Sequence, residues 1–182
     1  MSVTGIRYRE NGPREAAEDI AAALQDVPEG SAVLVAESIG AYFAMLSGAG
    51  KKLCSAFFVS PVVDMEAVIL AMLRRAGVSE RELMEKGELF PEEGETLSWG
   101  YLSYVREHPI SWGVPTEIIC GSEDDLVPLE TLLACAENHN ACRTVLEGAG
   151  HWFHTKDELE FISGRIKAAR QNNGYTPAGD RE

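Results

Sequence analysis

An apolar run from Ala32 to Ala36 stops just before Ser38, and the chain then continues with helical character to Met45. The run from Ala32 to Val35 is typical of a strand that is buried on both faces of a sheet. From Gly40 onward the residues predict an apolar helix. Ser38, at the junction, is therefore expected at a sharp turn with its hydroxyl directed out of the fold. Because the N–H groups that open a helix lack intrahelical partners, they can stabilise negative charge that develops beside this hydroxyl.

Strand-like and helix-like segments alternate along the rest of the chain. This alternation predicts an α/β fold in which a parallel sheet is flanked by helices. The length of 182 residues is sufficient for one compact domain with a sizeable core. The predicted strands are 32–36, 55–60, 116–120 and 143–146, and the predicted helices are 14–26, 40–47, 128–137 and 156–170.

Three segments carry a resemblance to the α/β-hydrolase superfamily. Residues 36–40 (Ala-Glu-Ser-Ile-Gly) resemble the nucleophile elbow, usually Gly-x-Ser-x-Gly, with alanine in place of the first glycine. Residues 121–128 resemble the loop that carries the catalytic acid, Gly-x-x-Asp-x-x-Val-Pro. Residues 148–151 (Gly-Ala-Gly-His) resemble the loop that carries the catalytic base. The three segments occur in the order serine, aspartate, histidine that this fold requires.

The resemblance implies roles for four residues. Ser38 is the nucleophile, His151 the base, Asp124 the acid, and the N–H of Ile39 the first oxyanion donor. These residue types belong together because a serine hydroxyl is a poor nucleophile until an imidazole takes its proton, and the imidazole needs a carboxylate to fix its tautomer. Each side chain follows a predicted strand, and the carboxyl ends of parallel strands meet at one edge of a sheet.

Two of these assignments have rivals nearby in the sequence. Glu123 or Asp125 takes the role of acid if the loop is shifted by one residue. His154 lies one turn from His151 if that segment is helical, so it competes for the role of base. The small residues before His151 favour it, because they allow the loop to bring an imidazole close to the elbow.

The implied activity is that of a serine hydrolase, which cleaves a carboxylic ester, thioester or amide through an acyl-enzyme. The expected partner is then a small-molecule substrate. The sequence contains no glycine-rich phosphate loop and no histidine cluster, and its four cysteines have no C-x-x-C spacing. We therefore expect neither a cofactor nor a metal, so that catalysis rests on side chains and backbone dipoles.

The charge of the chain excludes several classes of partner. A net charge of -13 argues against nucleic acid and anionic membranes, which require concentrated lysine and arginine. No apolar run is long enough to span a bilayer, and the polar N-terminus lacks the apolar core of a signal peptide. We expect a cytoplasmic protein that does not bind membranes.

The domain organisation includes an insert in the sheet domain. We expect the hydrolase core to comprise residues 1–63 and 113–170, a helical insert to span 64–112, and a disordered tail to span 171–182. In hydrolases that resemble this chain, such an insert forms a cap over the active site. Two apolar stripes at helical spacing favour packing of the insert against the sheet domain; the other interpretation is that Met, Trp and Tyr side chains line an apolar acyl pocket. The first stripe is Met65, Val68, Ile69, Met72 and Leu73, and the second is Leu97, Tyr101, Leu102, Tyr104 and Val105.

The family pattern requires strands before the elbow for which the sequence leaves little room. The loop after the third family strand donates the second oxyanion hydrogen bond. Here residues 1–8 provide at most one short strand, so the elbow strand is expected at an edge of the sheet, where it is an aggregation hazard unless covered. Three segments could pair with this edge: residues Val3 to Tyr8, a second subunit in a homodimer, or an upstream part of a longer protein of which this chain is a fragment. The fragment interpretation is favoured. The alternative function is accordingly a catalytically inert binding protein, or a truncated fragment with an incomplete oxyanion hole.

Overall fold

The computed structural model describes residues 3–10, 12–91, 95–139 and 141–172. The predicted strands and helices are all present, and the largest difference in their bounds is at the end of the first helix, which ends at Ala23 rather than at residue 26. The helices are α1 Pro13–Ala23, α2 Ile39–Leu46, α3 Met65–Ala76, α4 Glu80–Lys86, α5 Trp99–Glu107, α6 Leu129–Asn138 and α7 Lys156–Asn172. The strands are β1 Ala32–Glu37, β2 Leu53–Val59, β3 Glu88–Leu89, β4 Leu97–Ser98, β5 Thr116–Gly121 and β6 Cys142–Leu146.

The central sheet has four parallel strands in the order β1-β2-β5-β6. Helices connect the strands and cover the sheet, so the predicted α/β class is confirmed. The register aligns Glu37 with Val59 and Gly121 with Leu146, so all four strands finish near the same edge. The loops that carry the candidate site residues therefore leave the sheet side by side, as the alternating pattern predicted.

The main core lies on the face of the sheet covered by α1, α2, α3, α5 and α6. A smaller cluster on the opposite face consists of Val59, Ile119, Ala149 and Phe153, with Phe161 and Ile162 of α7 packed against it. The largest side chains that are fully buried are Phe43, Phe58, Ile20, Leu83, Leu102, Ile119 and Leu132.

Strand β1 lies at the edge of the sheet and is only half buried. Leu34 and Ala36 pack against the main core, whereas the Val35 side chain is 51% exposed. The prediction that Ala32 to Val35 is buried on both faces is therefore wrong for the second face. The physical reason is that the smaller cluster under α7 is built on β2 and β5 and does not include β1.

The free side of β1 has no strand partner in the described part of the chain. Residues 3–8 form no strand, and Ile6 and Tyr8 pack instead against the main core. The segment Val3 to Tyr8 thus does not extend the sheet. A homodimer formed through this edge stays a prediction.

The insert 64–112 contains α3, α4, the short β3–β4 hairpin and α5, and its apolar residues join the main core. Helix α3 begins where the Asp64 carboxylate accepts the Ala67 N–H at 2.9 Å, a side-chain N-cap. The stripe residues Met65, Ile69, Leu73, Leu102 and Val105 are buried, and Leu97 belongs to β4 rather than to α5. All stripe residues except Tyr104 belong to the main core or pack against it, which agrees with the predicted packing of the insert.

Helix α7 continues to Asn172, two residues into the predicted tail, and residues 173–182 lie outside the described residues. Among the described residues, none of the helices combines the length and the apolar character that crossing a membrane requires.

We predict that Leu102→Ala lowers the free energy of unfolding by about 2–5 kcal/mol, because Leu102 is 0% exposed and truncation leaves a cavity in the main core that the insert and the sheet domain share. The control is Leu159→Ala, at a side chain that is 53% exposed, for which we expect a change within about 0.5 kcal/mol. Urea unfolding followed by circular dichroism measures both. Equal effects of the two substitutions would contradict a shared core.

Candidate active site

Ser38 occupies a strained turn between β1 and α2. Its backbone angles are φ 50 and ψ -124, and positive φ is rare for residues other than glycine. Two hydrogen bonds hold this turn against the end of β2 and the loop that follows it. The Ser38 N–H donates to the Val59 carbonyl at 2.9 Å, and the Val62 N–H donates to the Ser38 carbonyl at 3.1 Å. The hydroxyl is therefore presented at the carboxyl edge of the sheet, as predicted for an elbow.

Three predicted site residues form one hydrogen-bonded chain. Ser38 Oγ lies 2.8 Å from His151 Nε2, and His151 Nδ1 lies 2.9 Å from Asp124 Oδ2 and 3.0 Å from Oδ1. A carboxylate only accepts hydrogen bonds, so Nδ1 carries the proton of the neutral ring and Nε2 has a free lone pair. The lone pair faces the serine hydroxyl, which is the arrangement needed to remove its proton.

The side chains of His151 and Asp124 are shielded from water. The side chain of His151 is 1% exposed and that of Asp124 is 0% exposed. Asp124 Oδ1 also accepts the N–H groups of Leu126 at 3.0 Å and Val127 at 2.9 Å, an Asx turn that fixes the carboxylate. Because the local dielectric is low, the carboxylate can stabilise a positive imidazole more strongly here than at the surface.

The loop that carries Asp124 is clamped onto the loop that carries His151. The Glu123 N–H donates to the Ala149 carbonyl at 2.9 Å, and the Gly148 N–H donates to Ser122 Oγ at 2.8 Å. A Cβ atom on Gly121 would lie 2.0 Å from the Ala149 carbonyl oxygen, so only glycine permits this approach.

Sequence reasoning missed this clamp. Gly121 is visible in the acid-loop motif and Ser122 follows it directly, but their contacts join residues that are more than twenty positions apart. The motif glycine was the one available signal, since it marks a close backbone approach without naming the partner.

The rival residues lie outside the hydrogen-bonded chain. Glu123 and Asp125 are exposed. His154 is also exposed, and its Nδ1 contacts the Trp152 carbonyl at 2.8 Å. The geometry thus brings together Ser38, His151 and Asp124 from among the candidates.

The N–H of Ile39, for which the role of oxyanion donor is predicted, opens α2 directly after Ser38. Ile39 is the first residue of α2, and its N–H makes no hydrogen bond to any residue for which coordinates are described. The same holds for the N–H of Gly40, whereas the Ala41 N–H donates to the Ser38 carbonyl at 3.2 Å. The N-terminus of α2 therefore offers free donors and the positive end of a helix dipole next to Ser38.

Two titratable neighbours of the site are held in their neutral forms. Burial, followed by the charges of Tyr104 and Asp64, raises the pKa of Tyr42, one turn beyond Ser38, to about 12. Burial, followed by the charge of Asp124, raises the pKa of the Cys120 thiol. The Tyr42 phenol and the Cys120 thiol therefore stay protonated near neutral pH.

Among the residues that the structure describes, no group of three or more histidine, cysteine, aspartate or glutamate side chains is arranged to hold a metal ion. A shallow surface depression of ≈ 790 Å³ runs along α7 and is lined by residues such as His154 and Leu159 rather than by the hydrogen-bonded chain.

Comparison with known proteins identifies the fold. Alpha/beta hydrolase domain-containing protein 10 from mouse is 19% identical, with a TM-score of 0.70 over 90% of this chain and 71% of that chain. Est1E from Butyrivibrio proteoclasticus is 18% identical, with a TM-score of 0.67 over 91% of this chain and 72% of that chain. The chain has the α/β-hydrolase fold.

A third neighbour with the α/β-hydrolase fold is the thioesterase domain from the curacin biosynthetic pathway, which is 19% identical, with a TM-score of 0.50 over 85% of this chain and 73% of that chain. No protein-family model and no curated protein matches the sequence. Within the α/β-hydrolase fold, Ser38, Asp124 and His151 follow β1, β5 and β6 in the order that the motifs predicted.

We predict that Gly121→Ala separates the acid and histidine loops, because its methyl group would overlap the Ala149 carbonyl. The variant should lose about 1–3 kcal/mol of stability, and a fluorophosphonate probe should react with Ser38 more slowly. Gly113→Ala is the matched control, since a Cβ there meets nothing within 4 Å. Differential scanning calorimetry and time-resolved labelling measure the two effects, and equal labelling rates in the two variants would show that the clamp does not position His151.

Proposed function

We propose that this protein is a serine hydrolase that cleaves a carboxylic ester, thioester or amide through an acyl-enzyme at Ser38. The observation that carries the proposal is the 2.8 Å contact between Ser38 Oγ and His151 Nε2, with the Asp124 carboxylate behind the ring at 2.9 Å.

In the first half of the reaction, Ser38 Oγ attacks the substrate carbonyl carbon while its proton passes to His151 Nε2. The carbonyl oxygen becomes an oxyanion and accepts a hydrogen bond from the Ile39 N–H. When the tetrahedral intermediate collapses, the bond to the alcohol, thiol or amine breaks, and His151 returns the proton to that leaving group. Asp124 stabilises the imidazolium that exists between these transfers.

In the second half, water attacks the acyl group on Ser38 and His151 Nε2 takes the proton of the water. The second intermediate breaks the bond to Oγ, releases a carboxylic acid and returns the proton to the serine. The burial of His151 and Asp124 supports this role, because an ion pair formed transiently at this position is weakly screened.

Exposed apolar side chains beside the site favour a substrate with apolar groups. Trp152 is 59% exposed, and its ring meets the His151 ring edge-on, with the ring centroids 4.8 Å apart. Ile39, next to the nucleophile, is 37% exposed. We propose that these residues contact a small-molecule acyl or alcohol group and that the insert 64–112 shapes the rest of the pocket as a cap.

A second candidate function is that of a catalytically inert binding protein on the same fold. It is motivated by the oxyanion site, for which the sequence motifs supply only one donor, the Ile39 N–H. This candidate predicts no turnover of activated esters and an unchanged ligand affinity in Ser38→Ala.

Reaction with a fluorophosphonate probe, followed by peptide mass spectrometry, tests the nucleophile. We expect the label on Ser38, its loss in Ser38→Ala, and its retention in Ser163→Ala, a control serine on α7. A folded protein that remains unlabelled at Ser38 would refute the hydrolase proposal and favour the binding protein.

The acid and the base are each tested against a neighbour. Asp124→Asn should lower kcat for p-nitrophenyl acetate by about 10⁴-fold, because an amide stabilises the wrong histidine tautomer. Asp125→Asn should leave kcat within about two-fold, since surface changes away from the reacting groups have small effects. His151→Gln and His154→Gln form the parallel pair. Equal losses within either pair would contradict the assignment of that residue.

A further inference from the structure

The N-terminal segment places a phenol hydroxyl beside the start of α2. Tyr8 is half-buried, and its ring meets the Phe43 ring edge-on, with centroids 5.5 Å apart at 85°. A Cβ atom on Gly40 would lie 3.5 Å from the Tyr8 hydroxyl oxygen. Gly40 is two residues beyond Ser38, so the phenol lies against the first turn of the helix that carries the oxyanion donor.

The position of Tyr8 is fixed from both sides. The following residue, Arg9, donates its N–H to Asp19 Oδ2 at 2.8 Å, and its guanidinium forms an ion pair with the same carboxylate. Asp19 belongs to α1, which packs on α2. The Phe43 side chain that supports the ring is 1% exposed and belongs to the main core. Tyr8 is thus anchored to the two helices that flank the site rather than attached to a loose segment.

The phenol hydroxyl lies against the first turn of α2 and keeps its proton unused. Its oxygen is 3.5 Å from the Cβ position of Gly40, in the turn whose N–H groups at Ile39 and Gly40 are free. The Tyr8 hydroxyl makes no hydrogen bond to any residue in the described ranges, so its proton is available to a ligand at that turn.

The phenol keeps its proton over the range in which a serine hydrolase works. Burial raises the pKa of Tyr8 above its ordinary value of 10.0. The neutral hydroxyl is a hydrogen-bond donor, whereas a phenolate would repel an oxyanion.

We propose that Tyr8 is a catalytic residue that donates the second hydrogen bond to the oxyanion, opposite the Ile39 N–H. This inference rests on the proposed function, because it requires a tetrahedral intermediate at Ser38. It also gives the N-terminal segment a role other than pairing with β1.

Tyr8→Phe is the test, since it removes the hydroxyl and keeps the ring contact with Phe43. Removal of one oxyanion donor lowers kcat by about 10²-fold, and we expect KM for p-nitrophenyl acetate and the melting temperature to stay unchanged. The dissociation constant of phenylboronic acid, which forms a tetrahedral adduct with an active serine, should rise in parallel with the loss of kcat. If Tyr8 acted only through packing, the loss of kcat and the rise in the dissociation constant of phenylboronic acid would not match. Ser163→Ala, which removes a hydroxyl on α7, is the control and should change neither quantity.

The outcomes separate this inference from the hydrolase proposal. If wild type hydrolyses the ester and Tyr8→Phe matches it in kcat and in boronate affinity, the Tyr8 role is wrong while the nucleophile stands. If Tyr8→Phe lowers the melting temperature and raises KM with kcat retained, Tyr8 acts only through packing and the inference is also wrong. If wild type neither turns over ester nor labels at Ser38, the hydrolase proposal fails and the Tyr8 role falls with it.

Discussion

The backbone turn at Ser38 is the constraint on which the rest of the site depends. Holding a residue other than glycine at positive φ costs on the order of 1–3 kcal/mol. The cost is offset by the two hydrogen bonds to the end of β2 and the loop that follows it, and by α2, whose residues Ala41 to Met45 are all buried. If the backbone of Ser38 returned to a negative φ, the direction of its side chain would change and the hydrogen bond to His151 would be lost. The burial of α2 therefore stabilises the strained turn, and the turn keeps the Ser38 hydroxyl at the sheet edge.

The parallel sheet brings Ser38 into contact with residues that are distant in sequence. Ser38 and His151 are 113 positions apart in sequence, yet their side chains are in hydrogen-bond contact. The strand register brings β5 and β6 to the same level at Gly121 and Leu146, so the acid and histidine loops start together. The absence of a Cβ on Gly121 then allows the two loops to close on each other. Backbone geometry thus sets the distances, and the side chains supply the chemistry.

The sequence was sufficient to predict the fold class, the central strands and the residues of the hydrogen-bonded chain, because each of these depends on a local pattern. Apolar runs mark β1 and β5, and short motifs mark Ser38 and His151. The edge position of β1 was predicted, but the exposed face of Val35 was not, since it depends on where α7 packs and an apolar run does not show which faces of a strand are covered. Strands β3 and β4 have two residues each, too few for a periodic pattern. The contacts of Gly121 and Tyr8 depend on how distant segments pack, and no local pattern encodes them.

The most direct test of the account is a crystal structure of the protein after reaction with diethyl p-nitrophenyl phosphate. We predict continuous density from Ser38 Oγ to phosphorus, a phosphoryl oxygen within hydrogen-bond distance of the Ile39 N–H, and His151 still bonded to Asp124. An unmodified Ser38, or a serine hydroxyl that lies beyond hydrogen-bond reach of His151, would contradict the claim that the sheet assembles a working nucleophile.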